Sequence, residues 1–276
     1  VAVSAAPAPR VPFFIGAHAV GSVAQADLPA LRRWPQVLRI GAGRVEMALP
    51  AGELEAAFAE INAALRAQGL IRAWRDEPFA VVDQATLEPL TRIERAASRF
   101  WGTLTFGAHA NGVVRAADGG IAWMWIAQRA FDKATDPGAY DNLVGAGVTA
   151  GQTPREALER ECWEEAGLAA AWLADGQAVI EPGSVLVLER AIPEGWQHEH
   201  LHAFDLWLPG DFTPRNMDGE VAGFTRMTVA DAVALAGSGR MTADAALVTF
   251  DFALRHGLPL PEPARQAALA ARYSSP

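Results

Sequence analysis

The chain is 276 residues long, 51% apolar and 20% charged, with a formal net charge of −9. Such length and apolar content exclude disorder as the main state and allow one large domain or two small ones. The acidic balance argues against binding driven by nucleic-acid phosphates, and the single cysteine, Cys162, excludes a disulfide scaffold.

No stretch reaches the roughly 18 apolar residues that span a bilayer. Residues 1–15 carry neither a basic n-region nor a sustained apolar run, so no signal peptide is expected and the cytoplasm is the expected compartment. In chain order, residues 7–12 form a proline-rich lead-in. Leu54, Ala57, Phe58, Ile61, Ala64 and Leu65 recur at helical spacing, with Gly69 placed to stop the helix. Residues 79–82 read as a strand. Thr91, with Glu94 three residues on, predicts a capping box and a helix over 91–100.

The texture changes near Trp101. Short strands are predicted at 113–114 and 121–127; the second is apolar throughout and predicts burial on both faces. A turn-rich stretch covers 132–142. Further strands are expected at 184–189 and 201–208, and helices at 229–236 and 243–256, the last stopped by Gly257. Residues 259–276 either pack as a short helix or float.

The most informative segment is 145–168, a glycine-rich loop leading into a marked helix. Thr153 suits the N-cap, Pro154 the first helical position, and Glu156 completes a capping box. Gly167 suits the stop, so the helix is expected over 154–166. On it Glu161, Glu164 and Glu165 stand at i, i+3 and i+4 and share a face. Beside them Leu158, Cys162 and Ala166 make an apolar seam. Three like charges repel, and a divalent cation would remove the repulsion. Hard carboxylate oxygens suit Mg²⁺ or Mn²⁺. Taken alone, the same three residues also fit an ordinary solvated acidic face.

This segment resembles the Nudix box, G-x5-E-x7-R-E-U-x-E-E-x-G-U, where U is bulky and apolar. Arg160, Glu161, Cys162, Glu164, Glu165, Gly167 and Leu168 match its second half position by position. In the first half the box glycine falls on Ala146, between Gly145 and Gly147, and the first glutamate falls on Gln152. Residues 100–102, 105–112, 129–142, 205–209, 212–221 and 252–257 resemble one Nudix subgroup, which includes the Nudix portion of fungal thiamine pyrophosphokinase fusions and relatives with an extra N-terminal domain.

The resemblance implies an α/β/α sandwich with a mixed, curved sheet behind a small α+β domain. The expected division is 1–100 for the accessory domain, 101–260 for the Nudix hydrolase domain and 261–276 for a tail. It also implies Mg²⁺-dependent hydrolysis of a small-molecule diphosphate, with thiamine diphosphate or its oxidised analogues as the expected substrate. Carried over, Glu161, Glu164 and Glu165 become the metal ligands, with the Ala146 carbonyl, and Arg160 orients a box glutamate. Glu220 is the first candidate for a fourth ligand or base, Glu199 the second.

Arg129 and Lys133, the only lysine, are candidate phosphate clamps. His109, Asn111 and Gln152 are candidate substrate contacts. Trp101 and Phe106 fit either a stacking role or the core, with the core preferred. No nucleic-acid or membrane partner is expected, and homodimerisation through the N-terminal domain is left open. Two alternatives stand beside hydrolysis. A non-catalytic ligand-binding module is favoured by the missing charge at Gln152. An isoprenoid-diphosphate isomerase would need a reactive acid such as Cys162, which the box instead places in the packing seam.

Overall fold

The computed structural model describes residues 8–41 and 43–273. The chain forms two compact units. Unit 1 takes residues 1–105 together with 149–151 and 189–199, and unit 2 takes 106–148, 152–188 and 200–276.

Unit 1 begins with strands β1 (Arg10–Ile15), β2 (His18–Ala24), β3 (Leu38–Gly41) and β4 (Arg44–Met47). They form one sheet in the order β2-β1-β4-β3, in which β1 and β4 run parallel. A one-turn helix, α1 (Leu28–Leu31), lies between β2 and β3. Helix α2 (Ala51–Ala67) buries Leu54, Phe58, Ile61 and Leu65, the stripe that helical spacing predicts. Gly69 follows at φ +73. Next come the hairpin β5 (Pro78–Val82) and β6 (Pro89–Glu94), and helix α3 (Arg95–Trp101).

The predicted capping box at Thr91 is corrected here. Thr91 pairs with Val81 inside the hairpin, and Glu94 is itself the N-cap of α3, accepting the Ala96 N–H. Trp101 is fully buried against Phe13 and Phe58, with ring centroids 4.6 and 5.5 Å away. It is a core residue.

Unit 2 is built on seven strands: β7 (Thr105–Arg115), β8 (Ile121–Arg129), β9 (Tyr140–Asp141), β10 (Val144–Gly147), β11 (Val179–Ile192), β12 (Gly195–Leu208) and β13 (Val221–Met227). The main order is β11-β12-β7-β8-β13, with β10 pairing β7 and β9 pairing β8. The pairs β7–β8, β8–β13, β7–β10 and β8–β9 are antiparallel.

Alternation along the strands makes two cores. Val114, Trp125, Leu206 and Leu208 face one cluster, with Leu158, Cys162 and Ala166 of helix α4 (Pro154–Ala166). Their neighbours Val113, Met124, Ile126 and Trp207 face another, with residues of α6 (Val229–Gly237) and α7 (Ala243–Arg255). A strand buried on both faces reads as a continuous apolar run, which explains residues 121–127. A short helix, α5 (Ala170–Ala174), follows α4.

Residues 259–273 pack rather than float, and the last three of the expected tail lie outside the described residues. Helix α8 (Glu262–Ala271) buries Ala264 and Ala268. Beyond it Arg272 donates to Asp251 Oδ1 at 2.9 Å, Leu186 bridges Arg272, and the Tyr273 N–H donates to the Val185 carbonyl at 2.8 Å. Asp251 and Asp205 are both buried and share Arg255, which grips Asp205 with two bonds of 2.7 Å. No helix among the described residues is long and apolar enough to cross a membrane.

Candidate active site

Local sequence positions α4 as expected. The Thr153 hydroxyl accepts the Glu156 N–H and the Glu156 carboxylate accepts the Thr153 N–H, a complete capping box. Gly167 ends the helix at φ +67, where an added Cβ would lie 2.9 Å from the Arg215 carbonyl oxygen. Gln152 stands just before the N-cap.

The three glutamates differ in their surroundings. Arg160 joins two of them, with Nη2 2.9 Å from Glu161 and Nη1 2.6 Å from Glu164. Glu164 is the more open of this pair. Glu161 is mostly enclosed, and burial pushes its carboxyl up to about 7, aided by the Glu164 and Glu220 charges and opposed by Arg160. Burial likewise holds Glu165 well above the ordinary range, with Glu161 and Asp141 adding to the effect and the Gly145 N–H and Lys133 opposing it.

Glu165 receives the Gly145 N–H at 2.9 Å. This bond corrects the expectation for Ala146. The Val148 N–H donates to the Phe106 carbonyl at 2.9 Å, so in the β10–β7 ladder Ala146/Ala108 is a bonded pair and Gly145/His109 is not. The Ala146 carbonyl therefore turns toward β7. The backbone groups facing α4 are those of Gly145. A Cβ there would meet the His109 ring at 3.1 Å, so a side chain would fit only if that ring gave way by a few tenths of an ångström.

The loop between β12 and β13 docks on the C-terminus of α4. The Arg215 N–H donates to the Ala166 carbonyl at 3.0 Å and the Met217 N–H to the Glu164 carbonyl at 2.9 Å. Glu220, at the end of this loop, reaches the Glu161 neighbourhood and forms an ion pair with Lys133. Lys133 thus meets a carboxylate of the site. Glu199 is placed elsewhere: it is buried in unit 1 with Arg99 at 3.3 Å.

Two other expectations change. Arg129 donates to Asp141 at 3.1 Å and to the Thr135 carbonyl at 3.0 Å, so its guanidinium holds the 130–139 turn against β9 instead of offering a free fork. Asn111 is 1% exposed, and its amide oxygen accepts from Asn142 Nδ2 at 3.1 Å. It belongs to a buried polar ladder because the inward face of β7 places it beneath β9–β10. His109 Nδ1–H donates to Asn142 Oδ1 at 3.1 Å, which fixes its tautomer. Asp141 and Gly145 were both missed by sequence reasoning. Asp141 lay within the stretch resembling the Nudix subgroup, but its role depends on strand pairing.

Hard oxygen donors line one turn of α4, and burial together with neighbouring carboxylates raises the Glu161 and Glu165 carboxyls above the ordinary range. That donor set fits a divalent cation. As the side chains stand, no three His, Cys, Asp or Glu among the described residues are gathered into a ready cage; the guanidinium of Arg160 supplies the positive charge instead.

Residues 105–247 match the model of the NUDIX domain, and residues 4–105 match a domain of unknown function (DUF4743). The chain belongs to the Nudix family. It is 34% identical over 207 residues to Nudix hydrolase 20, chloroplastic, of Arabidopsis thaliana, covering 75% of this chain and 54% of that protein. To Nudix hydrolase 24, chloroplastic, of the same plant it is 31% identical over 258 residues, covering 91% and 69%. The chain thus spans about half the length of the first relative and about two thirds of the second. A crystal structure of DR0079 from Deinococcus radiodurans is similar at 23% identity and TM-score 0.46, covering 62% of this chain and 97% of that one.

In this Nudix protein Cys162 is fully buried in the α4 seam, and burial pushes its thiol up to about 12. A thiol reagent at neutral pH is expected to label the folded protein no faster than global unfolding exposes it. Rapid labelling of the folded state would contradict the packing role and reopen the isomerase alternative.

Proposed function

We propose that this Nudix protein is a Mg²⁺- or Mn²⁺-dependent pyrophosphohydrolase that cleaves a small-molecule diphosphate to a monophosphate and phosphate. The observation that supports this reading is the placement of Glu161, Glu164 and Glu165 on one turn of α4, with Glu165 bonded to the Gly145 N–H, Glu161 and Glu164 joined by Arg160, and the Glu220 charge acting on Glu161. Glu161, Glu164 and Glu165 would hold the ion, with the Gly145 carbonyl as a neutral donor. When bound, such an ion neutralises diphosphate charge and acidifies the attacking water.

The chain's own groups then have distinct tasks. Arg160 orients Glu161 and Glu164. The Gly145 N–H fixes Glu165. Glu220, paired with Lys133, is the proposed acceptor of the water proton, and Lys133 lowers the charge an incoming phosphate meets. Gln152 contributes an amide where the box pattern has a carboxylate. Thiamine diphosphate or an oxidised analogue is the proposed substrate, and it rests on the sequence resemblance of the stretches within 100–112, 129–142, 205–221 and 252–257 alone.

The test is phosphate release from thiamine diphosphate, its oxidised analogues and a nucleotide panel, with Mg²⁺ and with Mn²⁺. Absence of product from every compound would overturn the proposal. The second reading, a ligand-binding module without turnover, rests on Gln152 and would show as thermal stabilisation by a diphosphate that is never cleaved.

A further inference from the structure

Unit 1 carries a cavity of about 440 Å³ lined by α2, β6 and the loop ahead of β5. Phe58, Ile93 and Trp74 make its apolar lining. Trp74 sits in a loop with two non-glycine residues in the left-handed region, Ala73 at φ +56 and Asp76 at φ +59. Such a backbone persists only where its surroundings hold it. Here the indole N–H donates to Asp76 Oδ1 at 2.7 Å, and the Arg66 guanidinium carbon lies 4.7 Å from the ring centroid. These two contacts orient the ring.

Asn62 decides the chemistry. It is 2% exposed and lines the cavity. Trp101 Nε1 can only donate, so the atom it meets at 2.8 Å is the Asn62 amide oxygen. The amide nitrogen is then fixed on the other side, and it donates to no group among the described residues. That nitrogen is not wholly shut off from solvent, so the cavity presents a donor that an acceptor on a ligand can meet.

Acceptors are also on offer. Glu94 Oε1 already receives the Arg75 and Ala96 N–H groups, which leaves Oε2. Asp76 Oδ1 receives the indole, which leaves Oδ2. Glu55 and Arg92, paired at 3.0 Å, complete the charged lining. Three carboxylates against one guanidinium disfavour a phosphate and favour a ligand that donates hydrogen bonds.

We propose that unit 1 binds a flat, amino-substituted nitrogen heterocycle. Its ring packs on Trp74, a ring nitrogen accepts from Asn62 Nδ2, and its exocyclic amine donates to Glu94. This site is separate from the diphosphate reading and does not depend on it.

Calorimetric titration of the full chain with adenine, cytosine and uracil tests it. Saturable binding of adenine or cytosine is expected, at least tenfold tighter than uracil. E94Q keeps an oxygen for the Arg75 and Ala96 N–H groups but removes the carboxylate, and W74L removes the ring. Each is expected to weaken binding tenfold or more with circular dichroism unchanged. If W74L fails to fold, N62D takes its place, because it keeps an acceptor for Trp101 and replaces the amide donor. No saturable heat with either amino base at millimolar concentration would overturn the proposal. So would equal binding of uracil, or binding that E94Q leaves within twofold.

Discussion

Replacing Glu164 by glutamine is expected to lower kcat roughly 10³-fold and to leave the fold intact. The carboxylate charge that would hold the ion is lost, which removes several kcal/mol of transition-state stabilisation. Stability responds little, because the Glu164 interaction with Arg160 is open to solvent on both sides, with side-chain exposures of 38% and 40%. Pairs of that kind contribute about 0–1 kcal/mol. Loss of the charge also relieves Glu161. The two measurements are phosphate release and thermal unfolding of the same preparation. Turnover within tenfold of the wild type would sink the role of Glu164, and so would a fall in activity that merely follows unfolding.

A second large effect concerns pH. The Glu161 carboxyl is raised to about 7 in the folded chain from an ordinary value of 4.5. A raised carboxyl favours folding fully below the unfolded value and loses that advantage as pH climbs through the folded one. Without metal, stability is therefore expected to fall between about pH 4.5 and pH 7, by on the order of 3 kcal/mol. Glu165, raised for the same reason, adds to the loss. Millimolar Mg²⁺ should restore the loss near about pH 8 and do little near about pH 5, where the Glu161 carboxyl holds its proton. E161Q is expected to flatten the metal-free profile and shrink the Mg²⁺ effect. Melting temperatures across pH, with and without Mg²⁺, check this. A flat metal-free profile, or equal Mg²⁺ shifts at both ends, would refute it.

Much of α4 was legible because its signals are local. The cap at Thr153, the proline after it and the glycine at 167 each act within one turn. The apolar run at 121–127 was legible for a similar reason, since burial on both faces leaves an unbroken stretch. The first sheet was not. Its strands are four to seven residues long, β1 contains Pro12 and shifts register between Phe13 and Phe14, and the alternation of β4 lasts only four residues.

The site itself divides the same way. Glutamate spacing on a helix is visible in sequence. The choice between Gly145 and Ala146 is a matter of one residue in a ladder, and only pairing with β7 settles which carbonyl turns outward. The partners of Arg129 and Lys133 also come from distant stretches, Asp141 and Glu220, that no local pattern connects. The false capping box at Thr91 has the opposite cause: a strand that ends in a helix cap carries the same letters as a helix start.

The pairing of Arg272 and Tyr273 along β11 has a practical bearing on how the protein is handled. Strand β11 is the outermost member of its sheet, and unpaired backbone on such a margin recruits other chains. Here the last described residues occupy part of that margin, and Arg272 is anchored to the fully buried Asp251 carboxylate, which it shares with Arg255. A shortened form ending before Arg272 would strip the shield and orphan a share of the Asp251 charge at once. Self-association of the shortened form should then appear as a concentration-dependent rise in apparent mass in solution.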